Sequence, residues 1–429
     1  METMTSLRHE FTLSPHVQSV PRSATLAINE RSKQLVQQGK DVIRLGLGQS
    51  PFPVPERMVS ALKAYASAKD YMAVQGYLPL REAISGFIQH TEGLDCKAED
   101  IIIGPGSKEL FFGLQMALDA DLVLPAPSWV SYEPQARLLG RNVHWLPCQA
   151  EDDWKLTAST LEKHCQQHEG RQQLLIINSP NNPSGACYNA QELEDLARVA
   201  SRYQLIILSD EIYSELHFQG GHLSIARYYP EGTIISNGIS KWAGAGGWRL
   251  GFMVFPNALR ALLEAMIVIA SETFTSVSAP IQMAAISAFE DSPEMLQYIH
   301  ACRHIMHTTV HEFSQRLIEQ GIDVVMPDGG FYCLADFSAY REALLRHGLT
   351  SAESLCQQIL DSTGVAALPG RDFGMTQGYL VRLAIVDFDG SRLLQRVLAS
   401  NSGKLDTRVE ELQHLMSAPE RLGQWLQTL

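Results

Sequence analysis

An apolar run, Thr233-Ile234-Ile235-Ser236, leads into Asn237-Gly238-Ile239-Ser240-Lys241. A lysine at the end of a buried strand is costly to keep charged. Burial and nearby cations drive its pKa below the usual value of about 10.4, and a neutral amine can form a Schiff base with a carbonyl. Downstream, Gly247-Trp248-Arg249-Leu250-Gly251 sets an arginine between glycines. Glycine permits close backbone approach, and arginine suits bidentate binding of phosphate. Asp210 follows Leu205-Ile206-Ile207-Leu208-Ser209, and Tyr213 stands three residues further on. A carboxylate held inside a site keeps a ring nitrogen protonated, and a phenol can donate to an oxygen. Asn182 offers an amide beside Pro183, and Trp129 offers a flat ring between Ser128 and Val130. Ser107 opens an apolar helix-like run, where backbone N–H groups can cradle a phosphate.

Singly, each residue has a plain structural reading. Lys241 reads as a surface lysine, Arg249 as structural, Asp210 and Ser107 as helix caps, Asn182 as a turn residue and Trp129 as core. Together they describe a site for one ligand: a planar phosphorylated aldehyde with a ring nitrogen and a phenolic oxygen. Pyridoxal 5'-phosphate has that chemistry.

The elements that must position these groups are short and apolar. Ile101–Ile103, Leu122–Leu124, Leu174–Ile177, Leu205–Leu208 and Thr233–Ser236 are each followed by a cluster of Gly, Pro, Ser, Asn or Asp. Continuous apolar runs, not alternating ones, fit a parallel sheet covered on both faces. Ligands of such sheets sit beyond the carboxyl ends of the strands, where these clusters lie. From about Pro280 the rhythm changes. A helical region spans 279–320, broken near Asp291-Ser292-Pro293, and strand-like pieces follow at 331–337 and 380–386. The pattern predicts an α/β fold of two lobes: a large domain over 46–295 and a smaller, discontinuous α+β domain from 1–45 and 296–429. A helical stretch is predicted over 24–38, and 406–429 reads as a helical appendage.

Composition narrows the function. With 34 Lys and Arg against 47 Asp and Glu, the net charge is −13. Such a chain has no general attraction for nucleic acid or anionic lipid, so an anionic ligand must be held by a few placed donors. The 45% apolar content is globular. Seven scattered cysteines without a CxxC point to reduced thiols in a cytoplasmic protein. Met1–Glu10 lacks the apolar core of a signal peptide, and no run is long enough to span a bilayer. Gly46-Leu47-Gly48 and Gly104-Pro105-Gly106 meet Pro51 and Glu109 where a dinucleotide fingerprint needs its third glycine. The histidines show no metal-ligand spacing, and no metal is expected.

The sequence resembles the class I/II, fold type I, pyridoxal-phosphate-dependent aminotransferases, and most of all their bacterial aspartate/aromatic branch. The resemblance runs from about Arg22 to Val397. It rests on Asn237–Lys241 with Gly247–Gly251, on Asn182-Pro183-Ser184-Gly185, and on Asp210-Glu211-Ile212-Tyr213. It implies a large domain with a mostly parallel seven-stranded sheet. It implies that Lys241 forms the Schiff base with the cofactor and shuttles the proton. Asp210 would pair with the pyridine nitrogen, Tyr213 and Asn182 with the ring hydroxyl, and Trp129 would stack on the ring. Arg249 and the Gly106-Ser107-Lys108 turn would bind the phosphate. Tyr71 would reach the phosphate of a neighbouring subunit in a homodimer with shared active sites. Arg382 would grip the substrate carboxylate, assisted by the Gly48 backbone. Gly238 departs from the serine many relatives carry, and Gln49 stands where an acidic residue is common.

The activity so implied moves an amino group between an L-amino acid and a 2-oxo acid. A lyase, decarboxylase or cyclase on the same fold would need the same proton positioning. A cofactor-sensing regulator would be expected to carry an N-terminal DNA-binding domain and a basic patch, and neither is expected from these residues.

Overall fold

The computed structural model describes residues 11–18, 20, 24–400 and 405–429. The expectation for Met1–Glu10, and the start of the resemblance at Arg22, lie outside the described residues. Seven strands form the principal sheet: β1 (Ile101–Gly104), β2 (Asp121–Ala126), β3 (Val143–Pro147), β4 (Gln173–Asn178), β5 (Ile206–Asp210), β6 (Thr233–Gly238) and β7 (Gly251–Val254). Their spatial order is β1-β7-β6-β5-β4-β2-β3. All neighbours are parallel except β7, which runs antiparallel to both β6 and β1.

Every residue of β1, β2, β4, β6 and β7 is buried, as the continuous apolar runs require. The two strands the sequence pattern did not mark have physical reasons for hiding. β3 is an edge strand, only partly buried, with His144 and Trp145 interrupting its apolar character. β7 lies within the Gly-rich stretch around Arg249, where glycines mask it.

Register sets up the site. Asn178 pairs with Asp210, and Asp210 pairs with Ser236. The carboxyl ends of β4, β5 and β6 therefore sit level, and the loops after them share one rim.

A smaller antiparallel sheet runs in the order Leu368–Pro369, Leu380–Ala384, Tyr332–Asp336, Asp323–Val324. The N-terminal segment joins it through Ile43–Arg44, which pairs with Val365–Ala366. Helix Pro293–Glu319 packs beneath this region. The break before it is capped by Ser292, whose Oγ accepts from the Met295 N–H at 3.2 Å. Helix Glu410–Leu426 is no loose appendage. It buries Leu412, Leu415, Met416, Leu422 and Leu426, each contributing about 1.5–3 kcal/mol of burial. Its Arg421 and His414 bond Asp41 at 2.6 and 2.8 Å, tying this helix to the segment before Ile43–Arg44. Among the described residues, no helix is long and apolar enough to cross a membrane, and all seven cysteines are free.

Candidate active site

A cavity of about 480 Å³ opens at the carboxyl ends of the parallel strands. Lys241, Asn182, Asp210, Tyr213, Trp129, Arg249, Ser107, Lys108 and Gly48 line it. Residues from separate loops, far apart in sequence, meet because their strands end level.

Lys241 reaches across the cavity, and its Nζ donates to the Gly48 carbonyl at 2.8 Å. The rings of Tyr213 and Phe331 stand 5.7 Å from the amine. Burial, then the charge of Arg382, pulls Lys241 down to about 8, with Asp210 opposing. The amine is thus poised to lose a proton near neutral pH.

Asp210 ends β5 at the cavity floor. Its Oδ2 accepts from the Tyr132 hydroxyl at 2.5 Å, and Oδ1 from the Ile212 N–H at 3.3 Å. Burial raises the carboxyl to about 6, while those two donors pull it back. The adjacent Glu211 turns away from the cavity. Its Oε1 accepts from Ser209 and Ser224 at 2.7 and 2.5 Å, and His222 and Glu92 lie nearby. Successive residues at the strand end thus serve opposite sides.

Trp129 is fixed by edge contacts to Phe111 and Tyr132, with centroids 6.3 and 5.3 Å away. The Lys108 Nζ stands 5.0 Å from its ring. Asn182 is buried, and its Oδ1 has no hydrogen-bond partner. An orphaned acceptor facing a cavity calls for a donor from a ligand.

At one end, helix Ser107–Ala117 points its first turn into the cavity, with Gly106 as its cap at φ 87°. A side chain on Gly106 would strike the Arg249 guanidinium, so glycine is required for that approach. Arg249 itself adopts a left-handed φ of 54° and donates to the carbonyls of Gly246 and Pro105 at 2.9 and 3.3 Å. The departure at Gly238 also has a reason. A Cβ there would come within 2.8 Å of the Leu250 carbonyl, so no serine fits, and Ser240 lines the cavity instead.

Arg382 lies outside the cavity lining, on one of the two inner strands of the smaller sheet. It is 2% exposed. Its guanidinium faces the Tyr332 and Phe373 rings at 4.9 and 5.3 Å and donates to the Gly46 carbonyl, while Nε has no partner. Tyr332 stands between Arg382 and the cavity residues. Its hydroxyl is 2.9 Å from that of Tyr213 and occupies the space a Cβ on Gly48 would need. Sequence reading assigned no role to Tyr332 or Tyr132. Both are tyrosines within otherwise ordinary packing runs, and only their placement gives them a use. Tyr71 is not brought to this chain's cavity; it is 93% exposed.

The chain matches the family model for aminotransferase class I and II over residues 40–389, and it belongs to that family. It is 32% identical to an aspartate aminotransferase of Geobacillus stearothermophilus over 95% of this chain and 99% of the relative. It is also 32% identical to an aspartate/prephenate aminotransferase of Thermus thermophilus over 84% of this chain and 91% of the relative. The solved structure of the Thermus thermophilus aspartate aminotransferase with maleate superposes with a TM-score of 0.83 at 28% identity, covering 97% of this chain and all of that one.

The protein is therefore a pyridoxal-phosphate-dependent aminotransferase of the aspartate branch. The cavity fits that cofactor. It presents an amine of lowered pKa for an aldehyde, a buried carboxylate for a ring nitrogen, the orphaned Asn182 oxygen, and a glycine-cleared helix start beside Arg249 for a phosphate.

Proposed function

We propose that the transamination runs on an L-amino acid held by its α-carboxylate at Arg382, with Lys241 moving the proton. The observation that carries this reading is a buried arginine with an unpartnered Nε, near enough to the cavity for its charge to pull down the Lys241 amine. Among the described residues Arg382 forms no ion pair; the Asp372 carboxylate acts on it only at longer range, and its Nε is left without a partner. A substrate carboxylate would complete its donor set in a bidentate fashion. Pyridoxal phosphate, when bound, supplies the electron sink.

The chain's own residues do the remainder. Asp210 holds a proton on the ring nitrogen, and Tyr132 holds Asp210. Tyr213 and Asn182 orient the ring through its hydroxyl oxygen, and Trp129 covers one face. Arg249, Lys108 and the N–H groups at Ser107 anchor the phosphate. Lys241, released from the Gly48 carbonyl, would take the proton from the substrate Cα and deliver it to the cofactor's aldehyde carbon across the amino nitrogen, with the electron pair taken up meanwhile by the cofactor ring. Fixing the carboxylate at Arg382 sets which bond faces Lys241; orientation of this kind contributes up to about 7–11 kcal/mol in ideal cases.

The Thermus enzyme was solved with maleate, a dicarboxylate, and the names of relatives include aspartate. Both facts support a dicarboxylic donor such as aspartate for this chain as well. The exposed Tyr71 supports a homodimer in which it completes a partner's phosphate site, and the acidic, cysteine-reduced composition supports a cytoplasmic location.

The test is a donor and acceptor screen of the purified enzyme. Aspartate with 2-oxoglutarate should yield one glutamate per oxaloacetate, and Lys241→Ala should abolish both turnover and the visible cofactor band. Release of ammonia or CO2 without an acceptor would replace transfer with lyase or decarboxylase chemistry.

A further inference from the structure

The amino-terminal ends of the parallel strands, opposite the cofactor cavity, carry a second cluster of side chains able to do chemistry. His144 lies on the edge strand β3. His164 lies on helix Ala158–Gln167, and His168 caps its end, four residues on. The ring centroids are 4.3 Å apart for His164 and His168, 4.5 Å for His144 and His168, and 5.2 Å for His144 and His164. One ring nitrogen from each can lie within 4.8 Å of the others.

The hydrogen bonds fix what each ring offers. His144 Nε2 faces the Asp121 carboxylate at 3.3 Å. His164 Nε2 faces the Gln173 Oε1 at 3.2 Å, and His168 Nδ1 faces the His164 carbonyl at 3.0 Å. Gln173 Nε2 donates to the His168 carbonyl at 3.4 Å, which orients that amide. All three outer partners are acceptors, so each committed nitrogen carries the proton. The second nitrogen of each ring is left with a lone pair. Metal-binding histidines have this arrangement: one nitrogen on the ion, the other donating to a carboxylate, carbonyl or amide oxygen.

We propose that His144, His164 and His168 form a binding site for a divalent transition-metal ion of the zinc, nickel or copper type. Imidazole nitrogen is the ligand class these ions prefer. A tetrahedral ion with bonds of about 2.0–2.1 Å needs its ligand atoms about 3.4 Å apart. The rings must close by about an ångström, which the two half-buried ones, His144 and His168, can do by side-chain rotation. The fourth position is left to water. His164 is buried and serves as the fixed member. Behind the trio, Asp121 also accepts from Arg171 at 2.7 Å and from Asn142 at 2.9 Å, which holds the outer carboxylate in place. The site would pin edge strand β3 to the helix that follows it. The sequence carries one half of this site, the i, i+4 pair His164 and His168, which the expectation of no metal-ligand spacing overlooked; the third ring comes from a strand twenty residues before that pair, and only the fold brings it in.

The experiment uses untagged holoenzyme, stripped with a chelator and titrated at neutral pH with zinc or cobalt chloride. Metal per chain is measured after gel filtration, with the cobalt visible spectrum as a second readout. The comparison variant is H144Q/H168Q, which spares the buried His164, and its unchanged cofactor spectrum and turnover certify folding. The wild type should hold one ion per chain, and the variant should bind at least about tenfold more weakly. Zinc should raise the melting temperature of the wild type alone. Equal affinity and stoichiometry in both proteins would overturn the proposal by placing the ion elsewhere, for instance at Glu92, Glu211 and His222. Absence of binding to the wild type would overturn it outright.

Discussion

The two cationic ends of the cofactor region are built in opposite ways. Arg249 is exposed, held in a left-handed turn, and already donates to two carbonyls. Lys108 and the helix start at Ser107 stand beside it. Water and several donors share the load there, so no single group is decisive. Arg382 is 2% exposed and boxed by two aromatic rings, with its Nε unpartnered. A buried charge without an anion is costly. On the proposed assignment, the open end would assist a resident cofactor, while the closed end would be completed by the substrate carboxylate.

The largest effect should therefore come from the closed end. Arg382→Ala should lower kcat/KM for α-carboxylate donors by about 2–5 kcal/mol, roughly 30-fold to several thousand-fold. Cofactor content should not change. Steady-state kinetics beside the cofactor absorbance would check this; an unchanged kcat/KM would break the comparison. Next comes the floor. Asp210 is raised to about 6 from a usual value near 3.8. A carboxyl raised on folding contributes stability at low pH, and that contribution is lost as pH rises from about 4 to about 6. Cofactor affinity should move the other way, because the ring nitrogen's proton needs an ionised Asp210. Cofactor binding should weaken about tenfold per unit as pH falls below about 6, while Asp210→Asn should bind weakly and nearly independently of pH. A flat wild-type profile would remove Asp210 from that role.

Much of this was legible in the sequence, for a definite reason. Lys241, Asp210 and Asn182 follow continuous apolar strands, and a parallel sheet places such loops on one rim. Their meeting in one cavity follows from strand register. What stayed hidden has equally physical causes. Tyr332 belongs to the other sheet and acts by filling the space beside Gly48, which no local pattern encodes. Tyr132 sits three residues after Trp129, but its use depends on Asp210, which is 78 positions away. β3 hid because an edge strand need not be uniformly apolar, and the helix over 410–426 read as an appendage because burial against a distant helix leaves only an amphipathic trace. Of the histidine trio, His164 and His168 were visible as an i, i+4 pair, and only His144, on another element, needed the fold to join them.

The open end should be more forgiving. Arg249→Ala should weaken cofactor binding about tenfold, since Lys108 and the backbone donors remain, and saturating cofactor should restore most of the turnover. Equilibrium dialysis of the cofactor would measure it. A loss as severe as that of Arg382→Ala would erase the contrast between exposed and buried cations.

The smallest effect, and the sharpest in what it separates, belongs to Tyr71. Its 93% exposure places it outside this chain's own cavity, and the proposed homodimer gives it the partner's phosphate to donate to. Tyr71→Phe removes one hydroxyl among several donors, so cofactor affinity should fall only about threefold to tenfold. Mixing subunits turns that small number into a structural test. A hybrid of one Tyr71→Phe chain and one Lys241→Ala chain contains one site with an intact lysine from the first and an intact tyrosine from the second. That site should regain wild-type cofactor affinity, while the Tyr71→Phe homodimer does not. If the hybrid's active site keeps the weakened affinity, the hydroxyl acts within its own chain. The open end would then be completed locally, and both ends of the cavity would be the work of a single subunit.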